Sequence, residues 1–161
     1  MCGISYSNEY ISPYCRRLIW KQLVEIVAAL QRSNIAHMDL KPGNIIRVGN
    51  ILKVCDLGIS KYGSGVGGGG TPNYSAPEAI LLHGQFSAQV DIWSIGAILF
   101  YITYGKQPNV NPENRSWEPP YGHCPVQDSL VQDLLVKTLQ HKPENRPNIQ
   151  TLQRHPYTVL I

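Results

Sequence analysis

Four side chains within an 18-residue stretch carry complementary chemistry: Asp39, Lys41, Asn44 and Asp56. Two carboxylates, an amide and an ammonium are the parts that phosphoryl transfer requires. They supply hard oxygen ligands for Mg²⁺, a group to orient an attacking hydroxyl, and positive charge near the moving phosphoryl. The set works only if the chain folds it together. Ile45 to Val48 and Ile51 to Cys55 flank Gly49-Asn50, a two-residue link between β-formers, which predicts a hairpin. With that turn, Val48 faces Ile51, Ile45 faces Val54 and Asn44 faces Cys55. Asn44 and Asp56 then emerge side by side at the open end, with Cα atoms on the order of 5 Å apart. Asp39 and Lys41 lie on the polar loop His37 to Asn44, where Pro42 pushes Lys41 out of helical geometry.

The elements that must hold this loop are mostly helical. Ser12-Pro13 reads as an N-cap followed by proline at the first helical position. From there Leu18, Trp20, Leu23, Val24, Val27 and Leu30 form an apolar stripe that ends near Ser33-Asn34. Ser87 is placed to cap a second helix, Ala88 to Tyr104, closed by Gly105 and then Pro108. Two further helical patterns run from about Asp128 to Leu139 and from about Ile149 to Arg154. Between residues 63 and 70 stand six glycines, so this stretch is expected to be mobile unless something pins it. Residues 108–125 contain five prolines (Pro108, Pro112, Pro119, Pro120, Pro125) and are expected to be irregular. The expected architecture is mainly α with one small β-hairpin.

Composition narrows the function classes. The 161 residues suit one domain, and 43% hydrophobic against 16% charged provides a core and argues against disorder. The net charge of +3 is spread along the chain, which implies no nucleic-acid partner. The apolar run Ile92 to Tyr104 falls short of the about 20 residues needed to cross a bilayer, so no membrane is implied. No signal peptide is expected, since Met1 to Glu9 hold neither a basic region nor an apolar stretch. Cys2, Cys15, Cys55 and Cys124 are scattered, which argues against a metal knuckle and fits a reducing, intracellular setting, cytoplasm or nucleus. The Gly63-x-Gly65-x-x-Gly68 match lies in low-complexity sequence with no helix directly after it, and is taken as accidental.

The same residues carry a family resemblance. His37-Met38-Asp39-Leu40-Lys41-Pro42-Gly43-Asn44 resembles the catalytic loop of eukaryotic protein kinases, and Asp56-Leu57-Gly58 their Asp-Phe-Gly metal motif. Ala76-Pro77-Glu78 stands where the activation segment should end. Asp91-Ile92-Trp93-Ser94-Ile95-Gly96 is similar to the family's buried helix, and Asn145-Arg146-Pro147 to its late arginine motif. A finer resemblance is to the monopolar-spindle (TTK) dual-specificity kinases of the mitotic spindle checkpoint. It rests on Ile51 to Val54, Asn73-Tyr74, Pro77 to Ile80, Tyr101 to Lys106 and His155-Pro156-Tyr157.

The resemblance implies a protein-kinase-like fold of the α+β family, represented by its large lobe. Residues 1–161 would be a partial kinase domain, with 1–3 hinge-like, 37–44 the catalytic loop and 56–78 the activation segment. It implies transfer of the ATP γ-phosphate to Ser/Thr, and also Tyr, of protein substrates, with Mg²⁺ as cofactor. Asp39 would accept or orient the substrate hydroxyl, and Lys41 would neutralise charge on the transferred group. Asn44 and Asp56 would hold Mg²⁺. Thr71 would bridge toward Asp39 and Lys41, and Tyr74 would shape substrate docking. Glu78 would pair with Arg146, Asp91 would hold the loop backbone, His37 would be structural, and Cys2 and Gly3 would belong to the nucleotide hinge. A TTK-like protein would work at the kinetochore or spindle.

Three departures accompany it. Leu57 replaces phenylalanine and is expected to keep an apolar contact. Met38 removes the arginine that reads a phosphorylated activation loop. No phosphate-covering glycine loop, strand lysine or helix glutamate stands before His37, so the small lobe is expected as a missing partner. The rival readings are a pseudokinase-like interaction module and a Ser/Thr kinase of another subfamily.

Overall fold

The computed structural model describes residues 11–80, 84–110 and 115–159. Helix α1 spans Pro13–Arg32 and starts where the sequence says: the Ser12 hydroxyl accepts the Cys15 N–H, with proline following at the first position. Its Trp20, Leu23, Val24 and Val27 are buried, whereas Leu18 and Leu30 at the margin of the stripe are half-exposed. Helix α2, Gln89–Tyr104, is the axis of the molecule. Every residue from Val90 to Phe100 is buried, because α1 packs on one side and α3 (Ser129–Thr138) on another. Gly96 permits the close approach of α3, since a Cβ there would lie 2.7 Å from that of Thr138. The helix ends at Gly105, whose φ of 67° is the left-handed conformation that glycine adopts without strain. Its start falls at Gln89, and the N-cap is Ala88, whose side chain caps nothing; Ser87, one residue earlier than a cap, accepts the Gln89 N–H at 3.2 Å.

The small helices α4 (Ile149–Arg154) and α5 (Pro156–Val159) fold back onto α1. Helix α5 is marked in the sequence by Pro156 at its first position alone. It is fastened by Trp20 Nε1 donating to Thr158 Oγ1 at 2.9 Å and by Arg17 Nε donating to the Tyr157 carbonyl at 2.9 Å. Among the described residues no helix is long and apolar enough to cross a membrane.

Strands β2 (Ile45–Val48) and β3 (Ile51–Val54) pair antiparallel in the expected register, Ile45 with Val54 and Val48 with Ile51. The expectation of a single hairpin is corrected by two further pairings. Strand β1 (Ile35–Ala36) pairs with β4 (Lys61–Tyr62), and β5 (Gly65–Val66) with β6 (Gln85–Phe86). The second of these, with Gly67 N–H to the Gly84 carbonyl and Gly69 N–H to the Ala79 carbonyl, pins the glycine tract. Residues 108–110 and 115–125 are irregular, as their prolines imply; Pro112 lies outside the described residues.

Candidate active site

Strand β1 delivers the chain into His37 at the foot of α2. The fully buried Asp91 carboxylate accepts both loop amides there, His37 N at 2.8 Å and Met38 N at 3.1 Å. Burial pushes the Asp91 carboxyl up to about 6, against the pull of these two donors. The buried His37 ring ties the loop to the hairpin. Its Nδ1 accepts the Asp39 N–H at 3.3 Å, so the proton sits on Nε2, which donates to the Cys55 carbonyl at 3.2 Å. Burial also lowers the His37 pKa, which keeps the ring neutral.

These ties aim Asp39. Its Oδ2 accepts from Lys41 Nζ at 2.8 Å and Asn44 Nδ2 at 3.1 Å, and its Oδ1 accepts from Thr71 Oγ1 at 2.6 Å. Lys41 Nζ also donates to Thr71 Oγ1 at 2.7 Å, closing a triangle of acid, ammonium and hydroxyl. Asn44, in the 3₁₀ turn Pro42–Asn44, gives its second Nδ2 hydrogen to the Asp39 carbonyl at 2.8 Å. Burial raises the Asp39 pKa, but the hydrogen bonds from Lys41 and Thr71 outweigh it and hold the carboxyl below its ordinary value. Asp39 is therefore ionised at neutral pH.

The last rung of the hairpin is Cys55 N–H to the Asn44 carbonyl at 2.9 Å, so Asp56 leaves the ladder directly beside Asn44. Asp56 holds left-handed backbone at φ 65°, is exposed, and accepts the Gly58 N–H through Oδ1 at 3.2 Å. No hydrogen bond joins the Asp56 and Asn44 side chains. Leu57 does not settle into the core as expected: it is 56% exposed, one residue past the left-handed backbone of Asp56. Among the described residues no group of three or more His, Cys, Asp or Glu is placed to hold a metal. The donor chemistry still fits Mg²⁺. Both Asn44 side-chain hydrogens are spent on Asp39, which leaves its amide oxygen as one hard ligand, and the exposed Asp56 carboxylate, one residue past the Cys55–Asn44 rung, is a second. Mg²⁺ takes one or two such protein oxygens and completes its shell with phosphate and water.

Thr71 is held by the segment that follows the glycine tract. Gly70 has φ +109°, and a Cβ there would overlap Ser75 Oγ and lie 2.6 Å from the Met38 carbonyl. Only glycine lets the segment pass this close to the loop. Tyr74 is buried, its N–H donates to the Thr71 carbonyl, and its ring meets Tyr101 edge-on at 6.3 Å. The segment ends at Glu78, whose carboxylate takes a fork from Arg146, Nη1 at 2.6 Å and Nη2 at 2.8 Å. The remaining Arg146 donors reach the Gln140, Gln89 and His141 carbonyls, and the guanidinium lies 5.1 Å from the Trp93 ring centroid.

The sequence matches the model of the protein kinase domain over residues 4–158. The chain belongs to the protein kinase family. The dual specificity protein kinase Ttk of Danio rerio is 34% identical over 181 residues, covering 96% of this chain and 18% of that protein. Its counterpart in Mus musculus is 31% identical over 183 residues, covering 93% and 20%. A calcium/calmodulin-dependent serine/threonine-protein kinase of Malus domestica is 33% identical over 156 residues, covering 86% and 37%. The chain thus spans only a minor part of each of these relatives.

Of the kinase residues marked from sequence, Asp39, Lys41, Asn44 and Thr71 meet in one hydrogen-bonded cluster. His37 and Asp91 lie directly beneath it, and Glu78, at the end of the segment that carries Thr71, pairs with Arg146. Tyr74 is in the core and Asp56 is at the surface end of the hairpin. Cys2 and Gly3 lie outside the described residues. Sequence reasoning missed Ser60, whose hydroxyl donates to the His37 carbonyl at 3.2 Å, and Gln22 on α1, which reaches the hairpin. Neither position departs from ordinary helix or loop composition, so no signal marked them.

Proposed function

We propose that this kinase chain transfers the γ-phosphate of ATP to Ser or Thr hydroxyls of protein substrates, with Mg²⁺, in the manner of the TTK kinases. The observation that carries the reading is the Asp39–Lys41–Thr71 triangle. A carboxylate has about four lone-pair sites. The two donors on Oδ2 fill that oxygen, whereas Oδ1 holds Thr71 alone and keeps one site for an incoming hydroxyl. Asp39, ionised at neutral pH, accepts that hydroxyl proton at Oδ1 and aims its oxygen. Lys41 sets positive charge where the moving phosphoryl gathers negative charge. Asn44 through its amide oxygen and Asp56 through its carboxylate would hold Mg²⁺, which when bound neutralises phosphate charge. Thr71 and Tyr74 fix the activation segment against the loop, the place where a substrate peptide docks.

In this reading residues 1–161 act as the large lobe of the kinase domain, with residues 1–3 as hinge. The glycine loop and lysine strand that roof the nucleotide come from a small lobe outside this span. Similarity to the two Ttk proteins supports dual specificity, and with it a place at the spindle or kinetochore. The test is transfer of labelled γ-phosphate to Ser, Thr and Tyr peptides by the chain joined to a Ttk-type small lobe. Label should reach Ser, Thr and Tyr, require Mg²⁺, and disappear in Asp39→Asn. Binding of partners without transfer in both proteins would favour the interaction-module reading instead.

A further inference from the structure

The outer edge of the hairpin is gripped by a side chain from another element. Pairing alternates along an antiparallel ladder between hydrogen-bonded and non-bonded residue pairs. The Cys55 N–H to Asn44 carbonyl bond makes that pair a bonded rung, so counting inward Ile46–Lys53 and Val48–Ile51 are bonded rungs as well. Leu52, paired with Arg47, is then a non-bonded position, and its N–H points away from β2. Leu52 is 8% exposed, so that donor has little access to water. Gln22, in the third turn of α1, meets it. Its Oε1 accepts the Leu52 N–H at 2.7 Å, and its Nε2 donates to the Asn50 carbonyl at 3.1 Å. One amide thus pairs with the strand edge as a third strand would, from a helix whose own position is set by buried packing on α2.

We infer that Gln22 is a positioning residue for the metal-holding end of the hairpin; this rests on the phosphotransfer reading of Asn44 and Asp56. The hairpin's inner face, Ile45, Leu52 and Val54, packs against the core, and its outer face is uncovered. Ile46, Val48 and Ile51 are 42%, 53% and 61% exposed. At the other end, the buried Ile45, the His37 ring and the Asp39–Asn44 contacts already described tie the hairpin. At about 3.3 Å per residue, Asp56 stands about 13 Å along the chain from the gripped Leu52 amide. A tilt of about 10° about that grip displaces Asp56 by about 2 Å, and misplacement by 1 Å can cost about 100-fold in rate. A two-point grip resists such a tilt, whereas one hydrogen bond leaves a hinge.

The test compares the wild-type chain, Gln22→Met (same length, no polar atoms) and Gln22→Glu (acceptor kept, donor lost). Amide hydrogen exchange is read residue by residue on the full chain, and kcat and KM are read in the phosphotransfer assay. Gln22→Met should speed exchange of the Leu52 and Cys55 amides at least 10-fold and leave the amides of α2 unchanged. It should lower kcat at least 10-fold at an unchanged KM for peptide, with Gln22→Glu in between. Acceleration at Leu52 alone, with Cys55 and kcat as in wild type, would overturn the inference, and so would equal acceleration across α2, which marks global loosening. If the wild type transfers no phosphate, the phosphotransfer reading fails on its own, and the exchange of Cys55 still decides whether Gln22 sets the hairpin end.

Discussion

Removing Glu78 strands a charge that the fold has fully enclosed. The Arg146 side chain is 0% exposed and that of Glu78 17%, and the two are joined by a two-pronged fork. Breaking a buried pair by deleting one partner costs about 3–5 kcal/mol, far more than the pair contributes net. Two features place Glu78→Ala at the lower end. The Gln140, Gln89 and His141 carbonyls and the Trp93 face still solvate the guanidinium, and the gap left by Glu78 opens toward water. The expected loss is therefore about 3 kcal/mol, a large part of the about 5–15 kcal/mol that holds a typical domain. Glu78→Gln keeps an acceptor and should lose about half as much. Urea unfolding followed by circular dichroism at pH 7 reads both. With a slope of about 2 kcal/mol/M, the Glu78→Ala midpoint should fall by about 1.5 M at unchanged slope. A fall of less than about 0.5 M in Glu78→Ala would refute the reasoning, because it would mean that Arg146 is satisfied without its carboxylate.

Three further outcomes follow from the site. Thr71→Val removes a hydroxyl that donates to Asp39 and accepts from Lys41; loss of such charged hydrogen bonds, worth about 1.5–3 kcal/mol, should cut phosphotransfer about 10- to 100-fold, and Thr71→Ser should restore it. Burial raises the Asp91 carboxyl from 3.8 to about 6, so between these values the native state binds a proton that the unfolded chain does not. Its contribution to stability is present below pH 4 and is lost as pH rises through 6, by about 3 kcal/mol. From pH 4 to 7 the wild-type urea midpoint should fall relative to that of Asp91→Asn, since the lowered His37 pKa adds an opposite slope to both proteins. Gly70→Ala drives a Cβ into the Met38 carbonyl and Ser75 and should abolish transfer, whereas Gly49→Ala, whose Cβ meets nothing within 4 Å, should cost only about 1 kcal/mol in urea.

What the sequence made legible was local. The hairpin register was readable because a two-residue Gly-Asn turn leaves one pairing open to its flanks, and α1 was readable because Ser12-Pro13 announces its start. The cluster of Asp39, Lys41 and Asn44 followed, since five residues of loop and one strand entry confine them. The rest depends on partners distant in sequence. The glycine tract lacks side chains to signal where it docks, and its backbone is captured by Ala79, Gly84 and Phe86. Leu57 reads as a residue that keeps an apolar contact, yet it is 56% exposed next to the left-handed backbone of Asp56. Gln22 looked like one more polar position on a helix, and only the orphan N–H of Leu52 explains it.

The central claim is that the Asp39 carboxylate, held ionised by Lys41 and Thr71, receives the substrate hydroxyl. Single-turnover transfer from saturating Mg-ATP, compared between wild type and Asp39→Asn with the small lobe supplied, tests it most directly. A rate at least 1,000-fold lower in Asp39→Asn, with the urea midpoint within about 0.5 M of wild type, is the predicted result. Equal rates in the two proteins would contradict it.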